Sequence, residues 1–110
     1  MDLNEGVLEM TLAEAKLTRD TELMGSMSPY VTIVFKGKKY KSKTMNYAGK
    51  TPKWNQKFTF EVTSHDEEMM LRVWDQDLTT SDAVGFAKIK MSSLIINKGV
   101  DCWFDIMYEN

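Results

Sequence analysis

The sequence predicts an all-β fold, an antiparallel β-sandwich of about seven to eight strands. Apolar residues recur at every second position rather than at the helical spacing of three to four. The alternating segments are separated by short stretches rich in Gly, Asp, Asn, Ser and Thr, which favour turns. With 110 residues, 43% hydrophobic and 27% charged, the chain has the size and composition of one globular domain.

The first half of the chain contains four alternating segments. They are GVLEMTLAEAKL with Leu8, Met10 and Leu12 on one face, PYVTIVFKG with Val31, Ile33 and Phe35, the polar KKYKSKTM, and KFTFEV with Phe58, Phe60 and Val62. Side chains at alternate positions of a strand share a face, so these apolar residues are expected to point into the core.

The second half contains three more candidate strands. They are MMLRVW with Leu71 and Val73, VGFAKIKM with Ala87, Ile89 and Met91, and VDCWFDIM with Cys102, Phe104 and Ile106. The last of these predicts that Cys102 is a core residue. One short helical piece is predicted around SSLIIN, residues 92–97.

The charge balance and the motifs narrow the class of function. The net charge of −2 gives the molecule no general attraction for nucleic acid or for an anionic membrane, so any such attraction must be local. A single cysteine cannot form an intramolecular disulfide, and a reducing cytoplasm is the expected compartment. The one histidine, His65, lies in a polar turn, and no catalytic motif is present. We therefore predict that the protein is not an enzyme.

An acidic loop follows the fifth candidate strand. Asp75, Asp77 and Asp82 fall within eight residues of one another, and a hairpin would bring the two ends of their loop together. Clustered carboxylates with backbone carbonyls are what Ca²⁺ requires, but aspartate is also common in solvated turns. The spacing does not fit an EF-hand.

A basic stretch, FKGKKYKSKT, contains Lys36, Lys38, Lys39, Lys41 and Lys43. On a strand Lys39, Lys41 and Lys43 would share one face at about 7 Å intervals. Such a row can bind phosphates, each lysine adding about 1 kcal/mol near an anionic lipid surface. It can equally protect a polar edge strand from aggregation. Nucleic acid is not predicted as the partner, since stacking aromatics do not interleave with the lysines beyond Tyr40.

Together, GSMSPYV, KTPKWNQKFTFEV and LRVWDQD followed by Asp-x-x-Gly resemble the C2 domain, a Ca²⁺- and phospholipid-binding β-sandwich used in signalling. The similarity covers Gly6 to about Ile106 and is greatest to the small plant elicitor-responsive type. It implies one C2 domain over residues 1–110, which could be a fragment of a longer protein.

The resemblance also implies a Ca²⁺ site with Asp75, Asp77 and Asp82 as ligands from the third loop. The first loop of the family supplies two further aspartates, and here Glu22 and Ser28 stand at those positions, with Asp20 two residues early. Affinity for Ca²⁺ follows the number of charged ligands. We therefore expect Ca²⁺ binding to be of low affinity or absent.

For the membrane, the resemblance implies that Leu23, Met24 and Leu78 lie at loop tips that can insert among lipids, and that the lysine stretch meets anionic head groups. Trp54 and Asn55 are expected to pack and cap. The predicted function is a cytoplasmic, peripheral membrane-binding module with weak Ca²⁺ dependence. The alternative is a Ca²⁺-independent domain that binds a protein partner.

The order of the strands resembles the type II arrangement of the family, in which the remaining strand comes last. Seven strands are predicted where eight are expected, so the last strand is expected to be missing. An open strand edge favours pairing with another chain. A homodimer through that edge is therefore a further expectation.

Overall fold

The alternating segments form the strands of the fold. The structure is a computed structural model that describes residues 6–22, 25–63, 65–96 and 100–108. Within them are six strands and one helix: β1 (Gly6–Glu14), β2 (Pro29–Phe35), β3 (Lys38–Lys41), β4 (Lys53–Val62), β5 (Glu68–Gln76), β6 (Ser81–Lys90) and α1 (Met91–Ile96). The strand KKYKSKTM is thus shorter than predicted, and the strand containing KFTFEV begins four residues earlier.

The strands form two antiparallel sheets, which confirms the predicted fold class. One sheet pairs β1 with β4, and the other has the order β3-β2-β5-β6. Direct partners in the second sheet include Val31 with Val73 and Leu71 with Ala87. The alternation places these apolar residues on the inner face, where they pack against the first sheet.

Aromatic packing holds β4 over the β2–β3 hairpin. The ring centroid of Phe60 lies 5.6 Å from that of Phe35 and 5.0 Å from that of Tyr40, both edge to face. Trp54 is buried, and its Nε1 donates to the carbonyl of Pro29 at 3.3 Å. Trp54 therefore packs as expected, while Asn55 is exposed and has a positive φ of 48° near the irregularity in the pairing of β4 with β1.

The strand predicted in VDCWFDIM is wrong as an element. Within residues 100–108 a single bridge remains, between Phe86 and Met107, with N–H to O distances of 2.8 and 2.7 Å. The predicted burial of Cys102 is also wrong, because its side chain is exposed, and Phe104 is 40% exposed. Alternation alone did not ensure burial. Among the described residues, no strand pairs along this segment to cover its apolar side chains.

Gly85 permits the bridge. A Cβ at this position would lie 2.4 Å from Cγ2 of Ile106 and 2.7 Å from the carbonyl oxygen of Met107. The segment therefore crosses β6 so closely that a side chain at residue 85 would displace it.

None of the helices in the described part of the chain has the length and apolar character needed to span a bilayer.

Candidate functional site

Four carboxylates meet at one end of the sandwich. Asp75 lies near the end of β5 directly opposite Asp82 of β6, Asp77 follows in the connecting loop, and Glu22 approaches from the segment before β2. One oxygen from each lies within 4.8 Å of the others. We call this group the acidic cup. Oxygens on opposite sides of a Ca²⁺ ion are up to about 5 Å apart, so the donor set and its spacing fit a hard divalent cation.

Asp75 is the structural centre of the acidic cup. It is fully buried, and its Oδ1 accepts the backbone N–H of Ser28 at 2.8 Å. Its Oδ2 accepts the Thr21 hydroxyl at 2.9 Å. A buried charge is tolerated when hydrogen bonds replace its water. Sequence reasoning missed Thr21, since a threonine in a polar loop carries no signal of its own.

The carboxyls of the acidic cup disfavour one another's charged forms. Removal from water raises the pKa of Glu22, and repulsion from Asp75 and Asp77 raises it further. The hydrogen bond with Asp82 raises the pKa of Asp77, with removal from water and repulsion from Asp82 and Asp75 adding to it. Excess negative charge concentrated here is what a bound cation would neutralise.

Ser28 and Asp20 make hydrogen bonds to the backbone of the loops around the acidic cup. The hydroxyl of Ser28 accepts the backbone N–H of Tyr47 at 3.0 Å, so its oxygen connects two loops. The carboxylate of Asp20 accepts the N–H of Glu22 at 3.0 Å and thereby fixes the local turn. Both residues therefore hold loops around the cup, and the carboxylate of Asp20 is not one of its four.

Exposed apolar side chains accompany the acidic cup. Leu78, in the loop between β5 and β6, is fully exposed, and Tyr47 is 79% exposed. Tyr47 has a positive φ of 58°, unusual for a large residue, and its N–H is bonded to Ser28. Sequence reasoning placed Tyr47 in a turn and did not identify it as an exposed residue at this end. Leu23 and Met24, the other predicted loop-tip residues, lie outside the described residues.

The outer face of the four-stranded sheet is basic and aromatic. Lys41 lies opposite Thr32 and Lys39 opposite Val34, so both project away from the core. The Lys41 ammonium lies 4.3 Å from the ring centroid of Tyr30, and that ring stacks on Trp74 at 6.5 Å. The same cross-strand rows continue to Arg72 and Lys88. We call these residues the basic face: Tyr30, Lys39, Lys41, Arg72, Trp74 and Lys88.

Polar contacts hold the aromatic residues of the basic face. The Tyr30 hydroxyl donates to Ser81 at 2.9 Å, and Trp74 Nε1 donates to the Thr32 hydroxyl at 2.9 Å. These rings are therefore held by hydroxyls on the same outer face of the sheet, one from β6 and one from β2. The lysine motif indicated two members of the face. Sequence reasoning missed the other members of the face, Tyr30, Arg72, Trp74 and Lys88. The register of strand pairing decides which residues lie side by side across a sheet, and that register cannot be read from the sequence.

The other three lysines of the basic stretch lie on the other face of β3 or outside it. Lys36 sits in the β2–β3 turn, 3.5 Å from the carboxylate of Asp66, and donates to the carbonyl of Glu61. Lys38 lies opposite Phe35, on the opposite side of the hairpin from Lys39. Lys43 follows the end of β3, where its N–H donates to the Gln56 side chain. The pairing therefore places Lys39 and Lys41 together on the outer face, with Lys38 on the other face, Lys36 in the turn and Lys43 beyond the end of β3.

A small antiparallel sandwich with clustered carboxylates on the loops at one end defines a class of β-sandwich binding modules. The family model of the C2 domain matches residues 6–106. The chain therefore belongs to the C2 domain family, as the sequence motifs predicted.

Individual relatives agree with this assignment. The chain is 32% identical to 16 kDa phloem protein 2 of Arabidopsis thaliana over 86% of its own length and 65% of that protein's length. It is 33% identical to an Arabidopsis thaliana protein named calcium-dependent lipid-binding protein, over 82% of this chain and 18% of that one. A solved C2 domain-containing protein from a putative elicitor-responsive gene superposes with a TM-score of 0.78 at 29% identity, covering 94% and 78% of the two chains.

Proposed function

We propose that this C2 domain is a cytoplasmic, peripheral membrane-binding module that recognises anionic phospholipid and has no catalytic role. The observation that carries the proposal is the basic face, where Lys39 and Lys41 project from β3 beside the stacked Tyr30 and Trp74. Because C2 relatives include a protein named for calcium-dependent lipid binding, a lipid ligand is the best-supported choice.

The chemistry of the basic face suits a phosphate-bearing head group. Lys39 and Lys41 are two residues apart on one strand, which spaces their stems by about 7 Å. Lys88 lies in the row of Lys39 and Arg72 in the row of Lys41, so cations extend across the sheet. Cations near an anionic bilayer contribute about 1 kcal/mol each. The aromatic rings add a rigid, partly apolar surface suited to the membrane interface.

Ca²⁺ at the acidic cup would modulate this binding weakly. Glu22, Asp75, Asp77 and Asp82 would hold the ion, with Asp75 already oriented by Ser28 and Thr21. The Ser28 hydroxyl is bonded to Tyr47 and adds no charge, which supports a low affinity. The exposed Leu78 and Tyr47 at this end would enter the interface once the local negative charge is neutralised.

Vesicle co-sedimentation tests the proposal. Vesicles of phosphatidylcholine with phosphatidylserine, or with a phosphoinositide, are compared in Ca²⁺ and in chelator. Lys39→Ala/Lys41→Ala should weaken binding by about 30-fold, the equivalent of two cations at about 1 kcal/mol each. The matched control is Lys53→Ala/Lys57→Ala, since both lysines are exposed on β4 of the other sheet.

The outcomes separate the candidate functions. Equal losses in the two double variants would refute recognition by the basic face. Failure of the wild-type protein to sediment with any vesicle composition would reject membrane binding and leave the protein-partner alternative. Binding to phosphoinositide but not to phosphatidylserine would identify a specific head group rather than general charge attraction.

A further inference from the structure

We propose that the edge of β4 that faces away from β1 binds one extended segment of a partner protein in which acidic and apolar residues alternate. We call this side of the strand the β4 edge. It lies across β4 from β1, so it does not depend on what lies beyond β1. The lysines around it are not members of the basic face. The proposal therefore stands apart from membrane binding and adds a second kind of partner.

The β4 edge offers backbone for pairing. Among the described residues, β4 is ten residues long and has β1 as its one neighbour in the sheet. The Lys36 ammonium reaches the Glu61 carbonyl from the β2–β3 turn, so the backbone groups of Glu61 point away from β1. Backbone groups of alternate residues point to the same side of an antiparallel strand, so those of Lys57 and Thr59 also face the β4 edge. An incoming strand can satisfy such N–H and C=O groups.

A strip of aromatic rings lies beneath the β4 edge. The ring of Phe60 stacks with that of Phe58 at 6.3 Å between centroids, and it meets the ring of Tyr40 edge to face at 5.0 Å. Phe60 is buried, whereas Phe58 and Tyr40 are only partly buried. Alternate side chains of an added strand would point toward these rings, which requires apolar residues at every second position.

The surroundings of the β4 edge are basic. Lys38 lies on the same face of β3 as Tyr40, and the N–H of Lys43 is bonded to the Gln56 side chain of β4. Four exposed lysines therefore surround the edge: Lys38, Lys43, Lys53 and Lys57. Within the described part of the chain none of the four forms an ion pair, whereas Lys36 is paired with Asp66.

This charge selects the occupant. A strand with glutamate or aspartate between its apolar residues would meet the lysines with the opposite sign. A second copy presenting the same edge would bring lysines against lysines, so an acidic partner is favoured over a homodimer. A lipid phosphate could accept from the N–H groups but could not donate to the C=O groups. An extended protein segment is therefore favoured over a membrane surface at this edge.

A designed peptide tests the proposal on the intact protein. The probe is a nine-residue peptide of alternating glutamate and valine, titrated while amide shifts are followed by NMR. We expect saturable binding with shifts confined to β3 and β4. A peptide of alternating lysine and valine should bind at least tenfold more weakly. A glutamate–valine peptide of the same composition with its valines grouped together should also lose tenfold.

Methylation of the peptide nitrogens separates strand pairing from charge attraction alone. Amides at alternate positions of a strand face opposite edges, so one set of the probe's amides faces β4 and the other faces solvent. N-methylation of one alternate set should abolish binding, whereas N-methylation of the other should change the affinity by less than threefold. Equal effects of the two modifications would overturn the proposal.

Charge reversal supplies the matched variants. Lys57→Glu should weaken binding of the glutamate–valine peptide at least fivefold, and Lys90→Glu, equally exposed at the end of β6, should leave it unchanged. Equal losses in the two variants, or shifts confined to the basic face, would overturn the proposal. A greater loss of vesicle binding in Lys57→Glu than in Lys90→Glu would overturn it in favour of a lipid surface. A concentration-dependent dimer in sedimentation whose interface is the β4 edge would overturn it in favour of a second copy.

Discussion

Asp75 and Asp77 belong to the same acidic cup, yet their removal should change the protein in opposite ways. Asp75 is fully buried and accepts hydrogen bonds from Ser28 and Thr21. Asp77 is only half-buried, and the pKa of its carboxyl is raised by its neighbours. The first residue stabilises the loops whether or not a cation is bound. The second stores repulsion that a cation relieves.

The magnitude for Asp75→Ala follows from the donors it leaves behind. The buried N–H of Ser28 loses its acceptor, which costs about 1–3 kcal/mol, whereas the hydroxyl of Thr21 can turn toward water. Relief of repulsion with Glu22 and Asp77 offsets part of this. For a domain of this size, a loss of 1–3 kcal/mol lowers the melting temperature by roughly 5–20 °C.

The assay is denaturant unfolding in chelator and again in excess Ca²⁺. Asp75→Ala should be destabilised in both conditions. Asp77→Asn should be as stable as the wild type or more stable in chelator, and should lose the stabilisation that Ca²⁺ gives by mass action. Asp75→Asn is the matched control, since its side-chain oxygen can still accept from Ser28.

Two results would refute this reasoning. If Asp75→Ala matched the wild type in chelator, the hydrogen bonds to Ser28 and Thr21 would contribute nothing to stability. If Asp77→Asn were destabilised in chelator as strongly as Asp75→Ala, the cup would not store repulsion.

The remaining predictions concern protons, charge and backbone. In chelator, Glu22 and Asp77 should contribute fully to folding stability below their ordinary pKa values of 4.5 and 3.8. This contribution should fall as the pH rises through the raised pKa values of the folded protein, and thermal melts at a series of pH values would detect the change. Calorimetry should show Ca²⁺ affinity rising over the same range, since protons compete for the carboxylates. Ser28→Asp should tighten Ca²⁺ binding roughly tenfold and lower stability in chelator, because it adds a carboxylate beside Asp75; unchanged calorimetric affinity would contradict this. Gly85→Ala should cost about 1–3 kcal/mol and release residues 100–108 to protease, whereas unchanged cleavage would show that the segment tolerates a side chain there.

Local patterns predicted the sheets well. Alternation in β2 and β5 identified core residues such as Val31, Ile33 and Val73, because a strand with one buried face must alternate. The motif around Asp75, Asp77 and Asp82 identified the carboxylate end. Glu22, which the resemblance placed in the first loop, lies beside these three carboxylates in the structure, and its role as a ligand stays a prediction.

What the sequence could not predict depends on distant neighbours. Cys102 alternates with Phe104 as a strand would, but residues 100–108 meet β6 at a single bridge, so Cys102 is exposed. Trp74 lies on the basic face because the pairing of β2 with β5 places Trp74 opposite Tyr30. Register of this kind is decided by the packing of whole sheets.

The acidic cup and the basic face share an edge, since Pro29 lies opposite Asp75 while Tyr30 lies opposite Trp74. Lys41 lies opposite Thr32, three residues from Pro29 along β2 and on the other side of that strand from Asp75. The backbones of Asp75 and Lys41 are therefore about 14 Å apart, from about 10 Å along β2 and two strand spacings of about 4.8 Å across it. This exceeds the Debye length of about 8–10 Å at physiological ionic strength, so the carboxylates of the cup offset the positive potential of Lys41 only in dilute salt. A cation held in the cup would remove that offset, and raising the salt concentration would remove it as well.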